Sequence, residues 1–179
     1  MINKLVNEIY KALDTELYLV ALCTALTLPD ICGKAEFPNE TSTAKRYKMW
    51  YETHIGQFEK RPDDNNDDMP YLSADVVYSL RCSLLHQGNP NIDQQKTNVD
   101  RFELLVQRFD GVEICFDSST VITHADGTST RIVKVNIKSL CWKLCDAAQS
   151  YFKKNKSKFT FFDYKIIDMN KIFPFTFPV

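Results

Sequence analysis

The N-terminal part of the chain alternates hydrophobic and polar residues with the period of a helix. Its apolar positions recur every three or four residues from residue 3 to about residue 27: Leu5, Val6, Ile9, Leu13, Leu17, Val20, Ala21 and Ala25. This spacing puts them on one helical face, and Pro29 ends the pattern. We therefore predict one long first helix, followed by an ordered loop that includes residues 28–33 and 37–39.

A second amphipathic segment is predicted to begin as a helix near Ser42 or Thr43. It carries a mainly aromatic set of apolar side chains: Tyr47, Trp50, Tyr51, Ile55 and Phe58. The polar run at residues 62–68 cannot bury itself, so we predict a surface connection there. That run resembles a calcium-binding loop in composition, but it lacks the central glycine and the closing glutamate that such a loop requires.

The third predicted helix covers residues 74–87 and has clear signals at both ends. Ser73 can cap its first turn, Asp75 suits the positive end of the helix dipole, and Gly88 followed by Pro90 stops it. Its apolar face is formed by residues three or four positions apart: Val76, Val77, Leu80 and Leu84. Arg81 and His86 lie in its last two turns.

The pattern then changes to short segments rich in β-forming residues, at 102–108, 112–116, 120–124 and 130–135. An Asp-Gly pair at 110–111 lies between the first two segments, and another at 126–127 lies between the last two. Asp-Gly favours a tight hairpin turn because the second position of such a turn needs a positive φ, which glycine adopts easily. We predict a small antiparallel sheet of three or four strands.

Helical period returns at residues 137–155, and a tail at residues 156–179 contains six of the twelve phenylalanines. So many apolar side chains should dock, either on the chain's own core, which we favour, or on another subunit. The predicted fold class is α+β, mainly α, with a small antiparallel sheet between the third and fourth of four helices. We expect a single domain over 1–179: three helices in 1–88, the sheet in 101–136, the last helix in 137–155 and the tail in 156–179.

Composition narrows the class of protein. A chain of 179 residues with 44% hydrophobic and 25% charged residues fits one globular domain. Its net charge of −1 gives no general attraction to nucleic acid, so any RNA contact must come from a local patch. The apolar run at 17–28 follows Asp14 and Glu16 and is too short to span a bilayer, so we expect a core helix, no membrane association and a cytoplasmic location.

The cysteines and two of the histidines suggest no further site. The six cysteines should be reduced thiols in the cytoplasm. Cys141 and Cys145 lie one helical turn apart, as metal ligands can, but no matching pair is evident and both fit the apolar face, so we expect core packing. We therefore expect no metal and no cofactor. His54 and His124 have no partner visible in the sequence and are expected at the surface or at an interface.

Arg81 and His86 are the chemical candidates. On an α-helix they differ by about 140° in direction and about 7.5 Å in height, so they should not face each other directly. One helix could still aim both at the same groove if the long arginine side chain reaches round. Two copies meeting about a twofold axis would bring two such pairs together. A histidine can move the proton of an RNA 2′-hydroxyl, and a guanidinium can hold phosphate oxygens. The alternative is that both residues only satisfy the last carbonyls of the helix, which spacing alone favours.

The segment Arg81-Cys-Ser-Leu-Leu-His86, preceded by Tyr78-Ser-Leu and followed by Gln87-Gly88, resembles the Arg-x4–6-His motif on the penultimate bundle helix of the HEPN superfamily. The helix layout over residues 3–155 is similar too, with the β segment as an insertion, whereas the tail has no counterpart. The resemblance implies a homodimer formed through the motif helices. It also implies a metal-independent endoribonuclease of a defence or toxin–antitoxin system, with an antitoxin-like protein partner, in which Arg81 stabilises the phosphorane and His86 is the acid or base.

The chain departs from this pattern at Cys82, where active members of the superfamily usually carry Asn or Asp. A thiol is a weak hydrogen-bonding group, and this favours a second interpretation, a catalytically inactive module that binds a nucleotide, RNA or a protein. A third interpretation, a purely structural interaction protein, is suggested by the aromatic tail alone.

Overall fold

The computed structural model describes residues 1–59, 72–91, 99–109, 112–114 and 117–168. The fold is α+β and mainly helical, with a small three-stranded mixed sheet and a separate two-stranded hairpin. Four features of the sequence fall outside the described residues: the polar run at 62–68, the Asp-Gly pair at 110–111, Cys115 and the tail from residue 169 onward.

The predicted long first helix is two helices, α1 (Ile2–Asp14) and α2 (Tyr18–Ala25). Between them Glu16 has a φ of 61°, a left-handed conformation that cannot continue an α-helix. The backbone N–H of Leu17 reaches back to the carbonyl of Ala12 at 2.8 Å and closes the turn. The prediction of one continuous helix was therefore wrong. Five of the eight residues of its predicted apolar face are buried, but Leu17 and Val20, after the break, are exposed.

The predicted loop after Pro29 is also wrong, because α3 (Leu28–Glu36) occupies most of it. Pro29 lies in the first turn of α3, where a missing N–H costs nothing, so it marks the start of this helix. The run Tyr18–Glu36 is long and apolar enough to cross a membrane, but half of it is buried inside the protein, as core helices of soluble proteins also are.

The second predicted helix begins where expected. Ser42 accepts a hydrogen bond from the backbone N–H of Lys45 at 3.3 Å and caps α4 (Thr43–Tyr51). Tyr47, Trp50 and Tyr51 are fully buried on its inner face. The helix then widens into a five-residue π-helical segment, π1 (Glu52–Gly56), and ends in the short α5 (Gln57–Glu59).

The third predicted helix has the predicted boundaries. Ser73 accepts from the N–H of Val76 at 3.3 Å and caps α6 (Ala74–Cys82), and Gly88 terminates the helix with a φ of 60°. Between them the last five residues form a second π-helical segment, π2 (Ser83–Gln87). The sequence did not predict this change of helix type.

The strands divide between two sheets. In the larger one, β5 (Ser129–Asn136) lies between β1 (Arg101–Leu105), to which it is parallel, and β4 (Ser118–Thr123), to which it is antiparallel. The two remaining strands, β2 (Gln107–Phe109) and β3 (Val112–Ile114), form an antiparallel hairpin.

The prediction of a purely antiparallel sheet is corrected by the β1–β5 pair. The segment predicted as one strand at 102–108 breaks at Val106. The chain then completes the β2–β3 hairpin and β4 before β5 returns alongside β1, and such a crossover produces a parallel pair. The predicted hairpin across residues 126–127 is present, with Gly127 at a φ of 83°.

Helix α7 (Ile137–Lys154) closes the core. Asn136 caps it by accepting from the N–H of Ser139 at 3.0 Å, and its apolar face packs on α1, α2 and α3. A 3-10 turn, Lys156–Phe159, follows and buries Phe159. Phe162 also packs against the core, whereas Tyr164, Ile166 and Ile167 are exposed. The first part of the tail therefore docks on the chain itself.

Candidate functional site

Arg81 and His86 face each other across π2. Nη1 of Arg81 hydrogen-bonds Nε2 of His86. Arg81 lies in the last turn of α6 and His86 in π2, so the wider π-helical turn changes the direction of His86 and the long arginine side chain reaches it. The expectation that the two side chains would not face each other directly was therefore wrong, because it assumed α-helical geometry up to Gln87.

Asp30 of α3 binds the two guanidinium nitrogens of Arg81 that do not contact His86. Arg81 donates to Oδ2 of Asp30 from Nε at 3.2 Å and from Nη2 at 3.0 Å. The two side chains are 15% and 18% exposed, so water screens the ion pair only in part. Residues 30, 81 and 86 form one chain of contacts, which we call the Asp30–Arg81–His86 cluster.

Asp30 was not among the candidates predicted from the sequence, because it fell in a predicted loop. The proline followed by an acidic residue at 29–30 is a signature of a helix start and could have identified the first turn of α3. Nothing local in the sequence indicates that this carboxylate meets Arg81, which lies 51 residues further along the chain.

Burial sets the electrostatics of the cluster. It raises the pKa of Asp30, and the charge and hydrogen bonds of Arg81 oppose this shift only in part. Oδ1 of Asp30 is buried and has no hydrogen-bond partner within the described part of the chain. For Arg81, burial lowers the pKa, but the carboxylate of Asp30 more than offsets it, so the net pKa is raised and the guanidinium remains charged.

Aromatic rings and a thiol surround the guanidinium. Cζ of Arg81 lies 5.8 Å from the centre of the Tyr78 ring, which meets Tyr47 edge-on at 5.2 Å. Burial raises the pKa of Tyr78, and the neighbouring Cys82 raises it further, so Tyr78 carries its proton at neutral pH. Cys82, half-buried, therefore contacts the cluster at the position where the HEPN resemblance expects Asn or Asp.

The cluster is open to solvent at His86, whose side chain is exposed. Because a guanidinium N–H can only donate, the contact with Arg81 requires Nε2 of His86 to accept and leaves the ring proton on Nδ1. All three guanidinium nitrogens are directed to Asp30 and His86 rather than to the carbonyls of the helix end. Arg81 therefore joins a partly buried carboxylate to an exposed imidazole.

The other candidates lie elsewhere. His124 contacts Oγ1 of Thr130 at 2.8 Å on the exposed hairpin. Cys141 and Cys145 are buried in the core, which raises the pKa of both thiols. Across the described ranges, no group of three or more His, Cys, Asp or Glu side chains has the arrangement of a metal site. His54 pairs with Glu36 at 2.8 Å in a separate cavity.

Comparison with models of known protein families, with curated proteins and with solved structures finds no match to this chain. The fold and the site define an α+β, mainly helical protein with an Asp–Arg–His cluster at a π-helical turn.

Proposed function

We propose that this protein is a HEPN-like RNA-targeting protein in which Arg81 and His86 carry out metal-independent cleavage of RNA, in a defence or toxin–antitoxin setting. The observation that carries the proposal is the contact between Nη1 of Arg81 and Nε2 of His86 at a solvent-open surface. This contact supports the proposal because a guanidinium can hold a phosphate oxygen while a neighbouring imidazole moves a proton at the same phosphodiester.

The reaction uses each member of the cluster differently. A scissile phosphate oxygen replaces His86 as the acceptor for Nη1 of Arg81. The released Nε2 of His86 then removes the proton from the 2′-hydroxyl, whose oxygen attacks phosphorus while the 5′-oxygen leaves. Arg81 stabilises the charge that develops on the phosphorane, and Asp30 holds the guanidinium in place. The products are a 2′,3′-cyclic phosphate and a 5′-hydroxyl.

We propose that the active form is a homodimer that meets through α6 and π2. A second His86, in its protonated form, would face the same phosphate and donate the proton that the leaving 5′-oxygen needs. A twofold axis brings the same surface of both copies together, so one motif per chain supplies both an acid and a base.

A second candidate function is a non-catalytic module that binds RNA or a nucleotide in the same place. The observations that favour it are the Asp30 ion pair, which already occupies two guanidinium nitrogens, and the thiol of Cys82 in place of a stronger hydrogen-bonding group. Such a module would bind RNA and leave it intact.

The test is cleavage of a single-stranded RNA by wild type, His86→Ala and His124→Ala, each purified in the same way. We expect His86→Ala to lower the rate by about 10² to 10⁴-fold while its thermal unfolding is unchanged. His124→Ala, which removes an exposed histidine from the hairpin, should cleave like wild type. Equal cleavage by wild type and His86→Ala would reject His86 as the catalyst. RNA that is bound by wild type but never cut would assign the binding module instead.

A further inference from the structure

A second histidine lies in an open cavity of about 580 Å³ that has no residue in common with the Asp30–Arg81–His86 cluster. The cavity lies between π1 and α7. The side chains that matter here are Glu36, His54, Phe58, Tyr151, Lys154 and Lys158. Its volume falls within the range of small-molecule sites.

His54 is held in this cavity from three sides. Its Nε2 lies 2.8 Å from Oε2 of Glu36, and its ring lies 4.8 Å from that of Trp50 at an angle of 30°. The ring of Tyr151 meets it edge-on at 5.2 Å. A π-helical segment positions this histidine, as π2 positions His86, and such segments are frequent at functional sites.

Each acidic side chain of the cavity has a hydrogen-bonding partner, and that of Glu59 is a cation. Glu36 is paired with His54, and Glu59 accepts from Nζ of Lys143 at 2.7 Å. Asp146 also lines the cavity and accepts a hydrogen bond from the hydroxyl of Tyr10 at 3.2 Å.

Two lysines at the end of α7 remain available for an anion. Lys154 and Lys158 are exposed, and neither forms an ion pair with any other residue that the structure describes. Nζ of Lys158 lies 5.9 Å from the centre of the Tyr151 ring, at the cavity wall. The cavity therefore has two ammonium groups that are not paired with its carboxylates.

Tyr151 forms part of the cavity wall beside His54. Tyr151 is only 7% exposed, and its hydroxyl has no hydrogen-bond partner among residues with a described position. Burial raises the pKa of Tyr151 to about 12, so the group is a donor at neutral pH. The hydroxyl oxygen is itself buried, so the part of Tyr151 that a ligand in the cavity can contact is its ring.

Phe58 adds an aromatic surface at the same cavity. Its side chain is 74% exposed, which is unusual for a ring of this size. Exposed rings beside lysines are the combination that proteins use to stack a base and hold its phosphate.

We propose that this cavity binds a nucleoside monophosphate, with the phosphoryl oxygens at Lys154 and Lys158 and the base on Phe58. The site is independent of RNA cleavage, because none of these residues belongs to the Asp30–Arg81–His86 cluster.

The probe is AMP, titrated calorimetrically into wild type and two double variants. Lys154→Gln/Lys158→Gln should weaken the Kd by about tenfold or more, because it removes two charged donors from the cavity. Lys153→Gln/Lys156→Gln removes the same charge from the same helix end but from residues that do not line the cavity, so its Kd should stay within about twofold. Equal weakening in both variants, or no binding of AMP to wild type, would overturn the proposal.

Two further titrations test whether the base contributes to binding and whether AMP binds in this cavity or at the Asp30–Arg81–His86 cluster. Phe58→Ala should weaken AMP by about tenfold and leave the affinity for ribose 5-phosphate unchanged, because only AMP carries a base. Ribose 5-phosphate that binds wild type as tightly as AMP would overturn the nucleotide assignment. His86→Ala should bind AMP like wild type, and loss of AMP binding in that variant would place the ligand at the other cluster.

Discussion

Asp30 and Arg81, 51 residues apart in the sequence, are joined by two hydrogen bonds to a single carboxylate oxygen, at 3.2 and 3.0 Å. The contact connects the first turn of α3 to the last turn of α6. It also orients the guanidinium so that its third nitrogen reaches His86. The same ion pair therefore serves both the stability of the helix packing and the geometry of the candidate site.

Removal of Arg81 should be destabilising. In Arg81→Met the carboxylate of Asp30 remains partly buried without its partner, and we expect the free energy of unfolding to fall by about 2 kcal/mol. Arg81→Met/Asp30→Leu should recover most of this loss, because no charge is then left unpaired. Lys45→Met breaks the more exposed pair with Glu40 and should cost much less than Arg81→Met. Urea unfolding at neutral pH measures all three, and a double variant as unstable as the single one would contradict the argument.

The pH dependence of that loss has a definite sign. Burial raises the pKa of Asp30 above 3.8, and Arg81 opposes the rise, so Arg81→Met should raise this pKa further. The folded variant then holds the proton to higher pH than the unfolded chain does, and its stability falls as the pH rises through the folded-state pKa. Between pH 4 and pH 7, Arg81→Met should lose stability relative to Arg81→Met/Asp30→Leu. A relative gain over this range would contradict the assigned direction.

Gly88 should matter only for its backbone conformation. It ends π2 with a φ of 60°, and a Cβ there would meet nothing within 4 Å. Gly88→Ala should therefore cost about 1 kcal/mol from left-handed strain alone. Gly88→Asn should cost less, because asparagine tolerates this region better. The midpoints of thermal unfolding of the two variants and wild type test this prediction. If both variants were as stable as wild type, residue 88 would not have the left-handed conformation.

Gly33 should be sensitive for the opposite reason, lack of space. An added Cβ would lie 2.8 Å from the backbone oxygen of Arg46, where α3 crosses α4. We expect Gly33→Ala to destabilise the protein by about 2 kcal/mol, although alanine is the better helix former. Lys34→Ala, at the exposed neighbouring position, should change stability by under about 0.5 kcal/mol. A stabilised Gly33→Ala variant would show that the two helices do not approach this closely.

The tail should contribute to stability through Phe159. Its ring is 5% exposed and meets Phe152 and Tyr151 edge-on at 5.1 and 5.9 Å. Phe159→Ala should cost about 3 kcal/mol. Tyr164→Ala, which removes a ring that is 70% exposed, should cost under about 0.5 kcal/mol. Similar values for the two variants would mean that the start of the tail does not dock as described.

Local signals in the sequence predicted the elements whose ends are chemically marked. Ser42 and Ser73 begin α4 and α6 as expected, and Gly88 ends the motif helix at the predicted residue. The apolar face of α7 could also be predicted locally, because the spacing of apolar residues within one helix indicates which side of it is buried. Pro29 was misinterpreted because proline marks both the end of one helix and the first turn of the next.

By itself, the sequence determined a mainly helical α+β protein, the boundaries of the motif helix and the pairing of Arg81 with His86 as candidates. Only the tertiary structure decided that β1 runs parallel to β5, that the motif helix widens into π2, and that Asp30 holds Arg81. The physical reason is that caps and periodicity act between residues a few positions apart. Strand partners, helix type at a crowded end and a buried ion pair depend instead on which distant segments pack together.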